Sequence, residues 1–80
     1  MKICPRCGKE LRSVIAEEVT EEGSSSQVWV LPEGAEFDPY DLRRLGPDGE
    51  LVPFRPRRGV KRMRFHCGEC ERWLATIDYR

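Results

Sequence analysis

The clearest alternation of hydrophobic and polar positions lies near the end of the chain, between Arg72 and Tyr79. One face of this segment carries four apolar or aromatic side chains, those of Trp73, Ala75, Ile77 and Tyr79. A period of two residues is the pattern of a half-buried β-strand, so we expect a strand here. Because Trp73 falls on the apolar face, we also expect it to belong to the hydrophobic core.

A pair of strands is predicted in the first half of the chain. Leu11 to Thr20 fits either a helix face or a strand by spacing, and its β-branched residues favour the strand. Gln27 to Leu31 is a short apolar run that ends at Pro32, which predicts a buried strand. Glu21 to Ser26 between them has the composition of a flexible loop. We therefore expect an antiparallel hairpin in which Trp29 and its neighbouring valines are buried.

Turn-forming residues divide the middle of the chain. Asp38 to Leu45 can form one helical turn, with Asp38 as the cap and Pro39 in the first helical position. Gly46 to Gly49 reads Gly-Pro-Asp-Gly, which favours a tight turn. The residues Leu51 to Phe54 predict a short, buried strand, which the prolines limit to a sheet edge or a bulged position because proline cannot donate to a ladder. A further turn at Arg57 to Gly59 leads into the last apolar segment.

The length and composition indicate one small domain, spanning residues 1–80, that needs a stabilising cross-link. A chain of 80 residues buries only about 60 to 65% of the surface that its unfolded form exposes, so hydrophobic burial alone leaves it marginally stable. A disulfide or a structural metal ion is the usual remedy. The first residues contain no apolar run of signal-peptide length, so we expect a cytoplasmic protein with reduced thiols and no membrane association.

All four cysteines occur in two Cys-x-x-Cys pairs, one near each end of the chain: Cys4 and Cys7, then Cys67 and Cys70. Two such pairs supply the four thiolates of a tetrahedral zinc site, so we predict one structural zinc ion bound by these residues. A disulfide or redox role, and zinc shared between chains, remain alternatives. Catalytic zinc is disfavoured because four thiolates leave no open coordination position. His66 can in principle replace a ligand, although a role beside the site is the simpler reading.

The two cysteine pairs also carry a family resemblance. Cys-Pro-Arg-Cys-Gly at residues 4–8 and Cys-Gly-Glu-Cys at residues 67–70 resemble the metal-binding knuckles of zinc-ribbon and rubredoxin-like domains. The resemblance implies a small, mainly β fold in which two hairpin tips clamp one ion. The chain departs from the family in spacing, because 59 residues separate the pairs. We therefore expect residues 23–60 to be a β-rich insert between the two knuckles.

The charges balance overall but are unevenly distributed. The chain has 14 basic and 14 acidic residues, so its net charge does not indicate a nucleic-acid partner. Six basic residues nevertheless fall within ten positions, namely Arg55, Arg57, Arg58, Lys61, Arg62 and Arg64. They could contact the phosphates of a nucleic acid, with Phe54 or Phe65 stacking on a base. Alternatively, they are solvated, neutralise the acidic cluster at Glu17 to Glu22, or meet a protein partner.

The sequence contains no recognisable catalytic constellation. It has one histidine, no glycine-rich phosphate loop, and serines that lie together without a neighbouring base. We therefore expect a non-enzymatic zinc-ribbon binding module associated with nucleic acid or a nucleoprotein, and no small-molecule substrate. The alternatives are a protein–protein interaction adaptor and a rubredoxin-like iron electron carrier, the latter being disfavoured by the basic flank.

Overall fold

A computed structural model describes residues 1–79, which form six strands and no helix. The strands are β1 (Ser13–Thr20), β2 (Gly23–Val30), β3 (Arg43–Leu45), β4 (Leu51–Pro53), β5 (Arg62–Cys67) and β6 (Trp73–Asp78). The predicted mainly β architecture is confirmed at this level. Among the described residues there is no helix of the length and hydrophobicity needed to cross a membrane.

Four of the strands form an antiparallel sheet in the order β2-β1-β5-β6, and β3 and β4 form a separate two-stranded sheet. In the larger sheet, β1 and β5 are central. Val14 of β1 lies opposite Cys67 of β5, and Ala16 lies opposite Phe65. The second cysteine pair therefore begins with the last residue of β5, which lies next to the start of β1.

The hairpin of β1 and β2 is confirmed, but its loop is shorter than the composition suggests. Only Glu21 and Glu22 form the turn, and β2 already begins at Gly23. The serines predicted to lie in a flexible loop instead pair with β1, since Ser24 lies opposite Val19 and the next two serines follow in register. Pairing with β1 along its full length has overridden the local preference of these residues.

The helical turn expected over Asp38 to Leu45 does not form. Asp38 does accept a hydrogen bond at its Oδ1 from the backbone N–H of Tyr40, at 2.9 Å, but this stabilises a turn. Residues 43–45 are strand β3, which pairs with β4 across the predicted Gly-Pro-Asp-Gly turn. The backbone N–H of Gly49 donates to the carbonyl of Gly46 at 3.0 Å, closing that turn.

The hydrophobic core lies on one face of the larger sheet and is built around aromatic rings. Trp29 and Phe65 are buried, with ring centroids 5.5 Å apart. Phe54 contacts Trp29 edge-on at 4.6 Å, and Phe37 packs on Phe65 at 5.1 Å. Trp29 and Phe65 come from the sheet, whereas Phe37 and Phe54 come from the segment between β2 and β5. That segment therefore covers the sheet and completes the core.

Three hydrophobic side chains expected in the core lie on the other face of the sheet. Val28 and Val30 are 62% and 63% exposed, because β2 places only Trp29 towards the core. Trp73 is 46% exposed and Leu74 is buried in its place. A register shift between β5 and β6 causes this exchange, because it turns Trp73 outwards, opposite His66. Leu51, also expected to be buried, is 41% exposed on the three-residue strand β4.

Candidate metal centre

The structure brings all four cysteines together, although the two pairs lie at opposite ends of the chain. The sulfur atoms of Cys4, Cys7, Cys67 and Cys70 all lie within 4.8 Å of one another. No pair forms a disulfide. The sulfurs of Cys4 and Cys70 are 3.8 Å apart, which is the separation of neighbouring sulfurs in a tetrahedron with metal–sulfur bonds of about 2.3 Å.

The first knuckle is a tight turn that directs backbone donors at a sulfur. The N–H groups of Arg6 and Cys7 point at Cys4 Sγ, at 3.3 and 3.5 Å. The turn closes through a hydrogen bond of 2.9 Å from Gly8 N–H to the Cys4 carbonyl, and Gly8 has a φ of 74°. Hydrogen bonds from N–H groups stabilise a thiolate, so the backbone prepares Cys4 for metal binding.

The second knuckle repeats two of these three contacts. The N–H of Glu69 points at Cys67 Sγ at 3.4 Å, as that of Arg6 does at Cys4. The N–H of Glu71 donates to the Cys67 carbonyl at 2.9 Å, in the position that Gly8 occupies in the first knuckle. Glu71 has a φ of 61°, and it is the one non-glycine residue with positive φ in residues 1–79. The two knuckles therefore share one backbone conformation.

Contacts outside the cysteines hold the knuckles in place. The N–H of Gly68 donates to the carbonyl of Ser13 at 3.0 Å, which fixes the second knuckle to the start of β1. A Cβ atom at Gly68 would lie 2.9 Å from the Ser13 carbonyl oxygen and still closer to its Oγ, so the approach requires glycine. On the other side, the Arg6 guanidinium lies 5.6 Å from the ring centre of Trp73, and its Nε donates to the Trp73 carbonyl.

The sulfurs of Cys4 and Cys70 differ in proton affinity. Burial opposes ionisation of Cys4, but the N–H groups of Cys7 and Arg6 and the neighbouring thiols outweigh it and lower the pKa of Cys4 to about 6. The N–H of Arg72 favours ionisation of Cys70, yet burial and the three other sulfurs raise the pKa of Cys70 to about 11. Four thiolates cannot accumulate this close together unless a cation neutralises them.

The donor set determines which metal fits. Four sulfur ligands in a compact, largely buried cluster suit zinc or iron and leave no coordination position for a substrate. His66 does not belong to the cluster, since it lies on strand β5 opposite Ile15 of β1 and Trp73 of β6. The cysteines can therefore complete a tetrahedral site by themselves.

The predicted basic residues are largely engaged with acidic side chains. Four of the six form ion pairs across the strands: Arg57 with Glu18, Lys61 with Glu21, Arg62 with Asp78, and Arg64 with Glu17. Three of these pairs neutralise the acidic cluster, as one of the alternatives from the sequence proposed. Within residues 1–79, no carboxylate lies within 4.0 Å of the guanidinium of Arg55 or Arg58.

The ion pair of Arg57 with Glu18 differs from the other three, because its carboxylate is buried. The side chain of Glu18 is 10% exposed, and Arg57 Nε donates to its Oε2 at 3.1 Å. Gln27 contacts the other oxygen at 3.5 Å. By contrast, Lys61 and Glu21 are both exposed, and their hydrogen bond lowers the pKa of the Glu21 carboxyl. Arg57, whose own side chain is 67% exposed, is therefore the charged partner of a buried carboxylate.

Sequence reasoning missed the residues that position the cysteines. Aligning the two knuckles places Glu71 opposite Gly8, and this alone indicates that Glu71 adopts a conformation favoured by glycine. The close approach of Gly68 to Ser13 and the stacking of Arg6 on Trp73 join residues more than 50 positions apart. No local pattern in the sequence indicates these contacts.

Comparison of the chain with protein-family models, with curated proteins and with solved structures finds no match.

Proposed function

We propose that this protein is a zinc-ribbon-like binding module, in which one structural zinc ion is held by Cys4, Cys7, Cys67 and Cys70. The observation that carries the proposal is the convergence of four sulfurs within 4.8 Å of one another, from two knuckles of the same backbone conformation. When bound, zinc would supply a cross-link between the ends of the chain. The backbone N–H groups of Arg6 and Glu69 would orient the sulfurs by hydrogen bonding.

Metal analysis of the purified protein tests this part of the proposal. We expect one zinc ion per chain, and cobalt substitution should give the absorption bands of a tetrahedral tetrathiolate site. Replacing one ligand, as in Cys70→Ser, should weaken metal binding strongly. Replacing His66 with Gln should leave the metal content and the cobalt spectrum unchanged. A visible iron–thiolate band in protein from its native host would instead favour the electron-carrier alternative.

A nucleic-acid partner is the second part of the proposal, and Arg55 and Arg58 support it most directly. These two arginines have no carboxylate partner within residues 1–79. The exposed pairs of Lys61 and Arg62 can exchange a carboxylate for a phosphate, because exposed ion pairs contribute only about 0 to 1 kcal/mol. Arg64 can do so less readily, because its partner Glu17 is half-buried. Arg57 is less available, since its removal would leave Glu18 buried without a partner.

Salt dependence of oligonucleotide binding tests the nucleic-acid partner. We expect Arg55→Ala and Arg58→Ala each to weaken binding and to reduce the salt slope by about one. Arg12→Ala is a suitable control, because this exposed arginine lies far from the basic segment in the sequence. If neither single-stranded nor double-stranded oligonucleotides bind at low ionic strength, the nucleic-acid hypothesis fails and the adaptor alternative takes its place.

A further inference from the structure

Strand β2 lies at one edge of the larger sheet. Strand β3 approaches it without pairing, and Arg44 of β3 lies over the ring of Trp29, but the residues of β2 themselves lack the features that normally block such an edge. Within residues 1–79, it pairs with β1 on one side and with no strand on the other. Its sequence, Gly-Ser-Ser-Ser-Gln-Val-Trp-Val, contains no charged residue and no proline over eight positions. Natural proteins usually protect an edge of this length with lysine, proline, a bulge or a covering element.

The opposite edge of the same sheet provides a direct contrast. Strand β6 carries Asp78, which pairs with Arg62 of β5. The carbonyl of Trp73 on β6 already accepts a hydrogen bond from Arg6 Nε. A register shift also interrupts β6. The lack of protection is therefore particular to β2 and not a general property of the sheet.

Most side chains of β2 are also left exposed in a single copy of the chain. Seven of the eight residues are exposed, and Trp29 is the one side chain that reaches the core. Val28 and Val30 are 62% and 63% exposed, and they lie two residues apart on the same face. The outer edge of the strand thus combines unsatisfied backbone groups with uncovered apolar surface.

We propose that β2 pairs antiparallel with β2 of a second copy of this chain, so that the two larger sheets form one continuous eight-stranded sheet in a two-fold symmetric dimer. A two-fold axis places β2 of one copy beside β2 of the other, so that neither β2 remains an unpaired edge strand. Because β2 has no charge, no register brings like charges of this strand into opposition. The zero net charge of the whole chain also removes long-range repulsion between copies.

Self-pairing fits this edge better than capture of an unrelated peptide. Peptide selection by an edge strand normally relies on pockets or charged side chains that recognise alternate residues. The side chains of β2 offer serine hydroxyls, a glutamine and two valines, and no charge. A second copy brings the same two exposed valines, and in the register that we propose, with Val28 opposite Val28 at the axis, each Val28 gains an apolar neighbour.

Sedimentation equilibrium of the full, metal-loaded chain tests the proposal. From micromolar to millimolar concentration, we expect the mass to rise from 9.3 kDa towards twice that value. Val28→Lys should raise the dissociation constant at least about tenfold, because the register with Val28 opposite Val28 then places two like charges side by side at the axis. Tyr40→Lys is the matched control, since it adds the same charge at a side chain that is 94% exposed elsewhere, and it should dimerise normally.

Hydrogen exchange distinguishes edge pairing from other modes of association. We expect alternate backbone amides of β2 to gain protection as the concentration rises, and those of β6 to remain unchanged. A chain that stays monomeric at millimolar concentration overturns the proposal. So does a dimer that Val28→Lys does not weaken, or a dimer in which the β2 amides gain no protection. Because Val28 is exposed, the melting temperature of Val28→Lys at low concentration checks that the variant is folded.

Discussion

The fifth residue of each knuckle has the same backbone conformation but a different side chain. Gly8 and Glu71 both have positive φ, at 74° and 61°, and both donate to the carbonyl of the first cysteine. A residue with a Cβ atom is disfavoured in this region by about 1 to 2 kcal/mol, whereas glycine is not. The second knuckle therefore retains a conformational cost that the first one avoids.

Replacing Glu71 with glycine should stabilise the metal-loaded protein by about 1 kcal/mol, because it removes this cost. Gly8→Ala should destabilise it by a similar amount, since the added Cβ meets no atom within 4 Å and only the backbone is strained. Urea unfolding of the metal-loaded variants measures both effects. Glu69→Gly removes the same charge from the same knuckle at ordinary φ, so a stabilisation equal to that of Glu71→Gly would contradict the backbone explanation.

Gly68 imposes a different constraint, which is steric. Its Cβ position is occupied by the backbone and side chain of Ser13, so Gly68→Ala should destabilise the protein by about 1 to 3 kcal/mol. Ser13→Gly removes the hydroxyl but leaves the carbonyl oxygen, and it should therefore rescue the loss only in part. A double-mutant cycle measured by thermal unfolding gives the coupling. Additive effects of the two substitutions would show that the close approach is not the cause.

At the scale of the elements, the ion pairs that the hairpin of β1 and β2 makes with the basic segment before β5 differ in their energetic roles. Arg57→Met should cost about 1 to 3 kcal/mol, because it leaves the buried carboxylate of Glu18 without its charged partner. Lys61→Met should cost less than about 1 kcal/mol, since its pair with Glu21 is exposed on both sides. Chemical denaturation of both variants makes the comparison. Equal losses of stability in the two variants would contradict the claim that the buried carboxylate of Glu18 makes its ion pair the more important one.

The sequence could predict the strands wherever alternation and β-branching agree. It predicted β1, β6 and the apolar half of β2 as strands, and it predicted the turn before β4. It also predicted that the four cysteines meet at one site. It failed where pairing decided the outcome. The serines of β2 are extended because β1 continues beyond the apolar part of β2 and pairs with them. Trp73 faces outwards because of a register shift between β5 and β6. Register and bulges depend on the partner strand, which local composition does not specify.

At the scale of the whole molecule, the chain is thin. Its extents are 34, 30 and 18 Å, and the shortest leaves room for one sheet with one covering layer, since packed layers lie about 10 Å apart. The core is therefore confined to one face of the larger sheet. This explains why a chain of 80 residues would need a cross-link in addition to its buried aromatic rings.

The cysteine cluster lies where a cross-link has the greatest effect. An ion bound by Cys4 and Cys70 would close a loop of nearly the whole chain. By the chain-entropy relation for covalent cross-links, a loop of this length destabilises the unfolded state by about 4 kcal/mol. That amount is comparable with the total stability of a small domain. We therefore expect folding and metal binding to be one coupled process.

Circular dichroism of the full chain before and after complete metal removal by a chelator tests this central claim most directly. We expect the β-sheet signal and the near-ultraviolet signal of the buried Trp29 to be lost on removal and to return when one equivalent of zinc is added. Metal analysis of the same samples confirms that removal and reloading are complete. A spectrum that does not change after full metal removal would contradict a structural role for the ion.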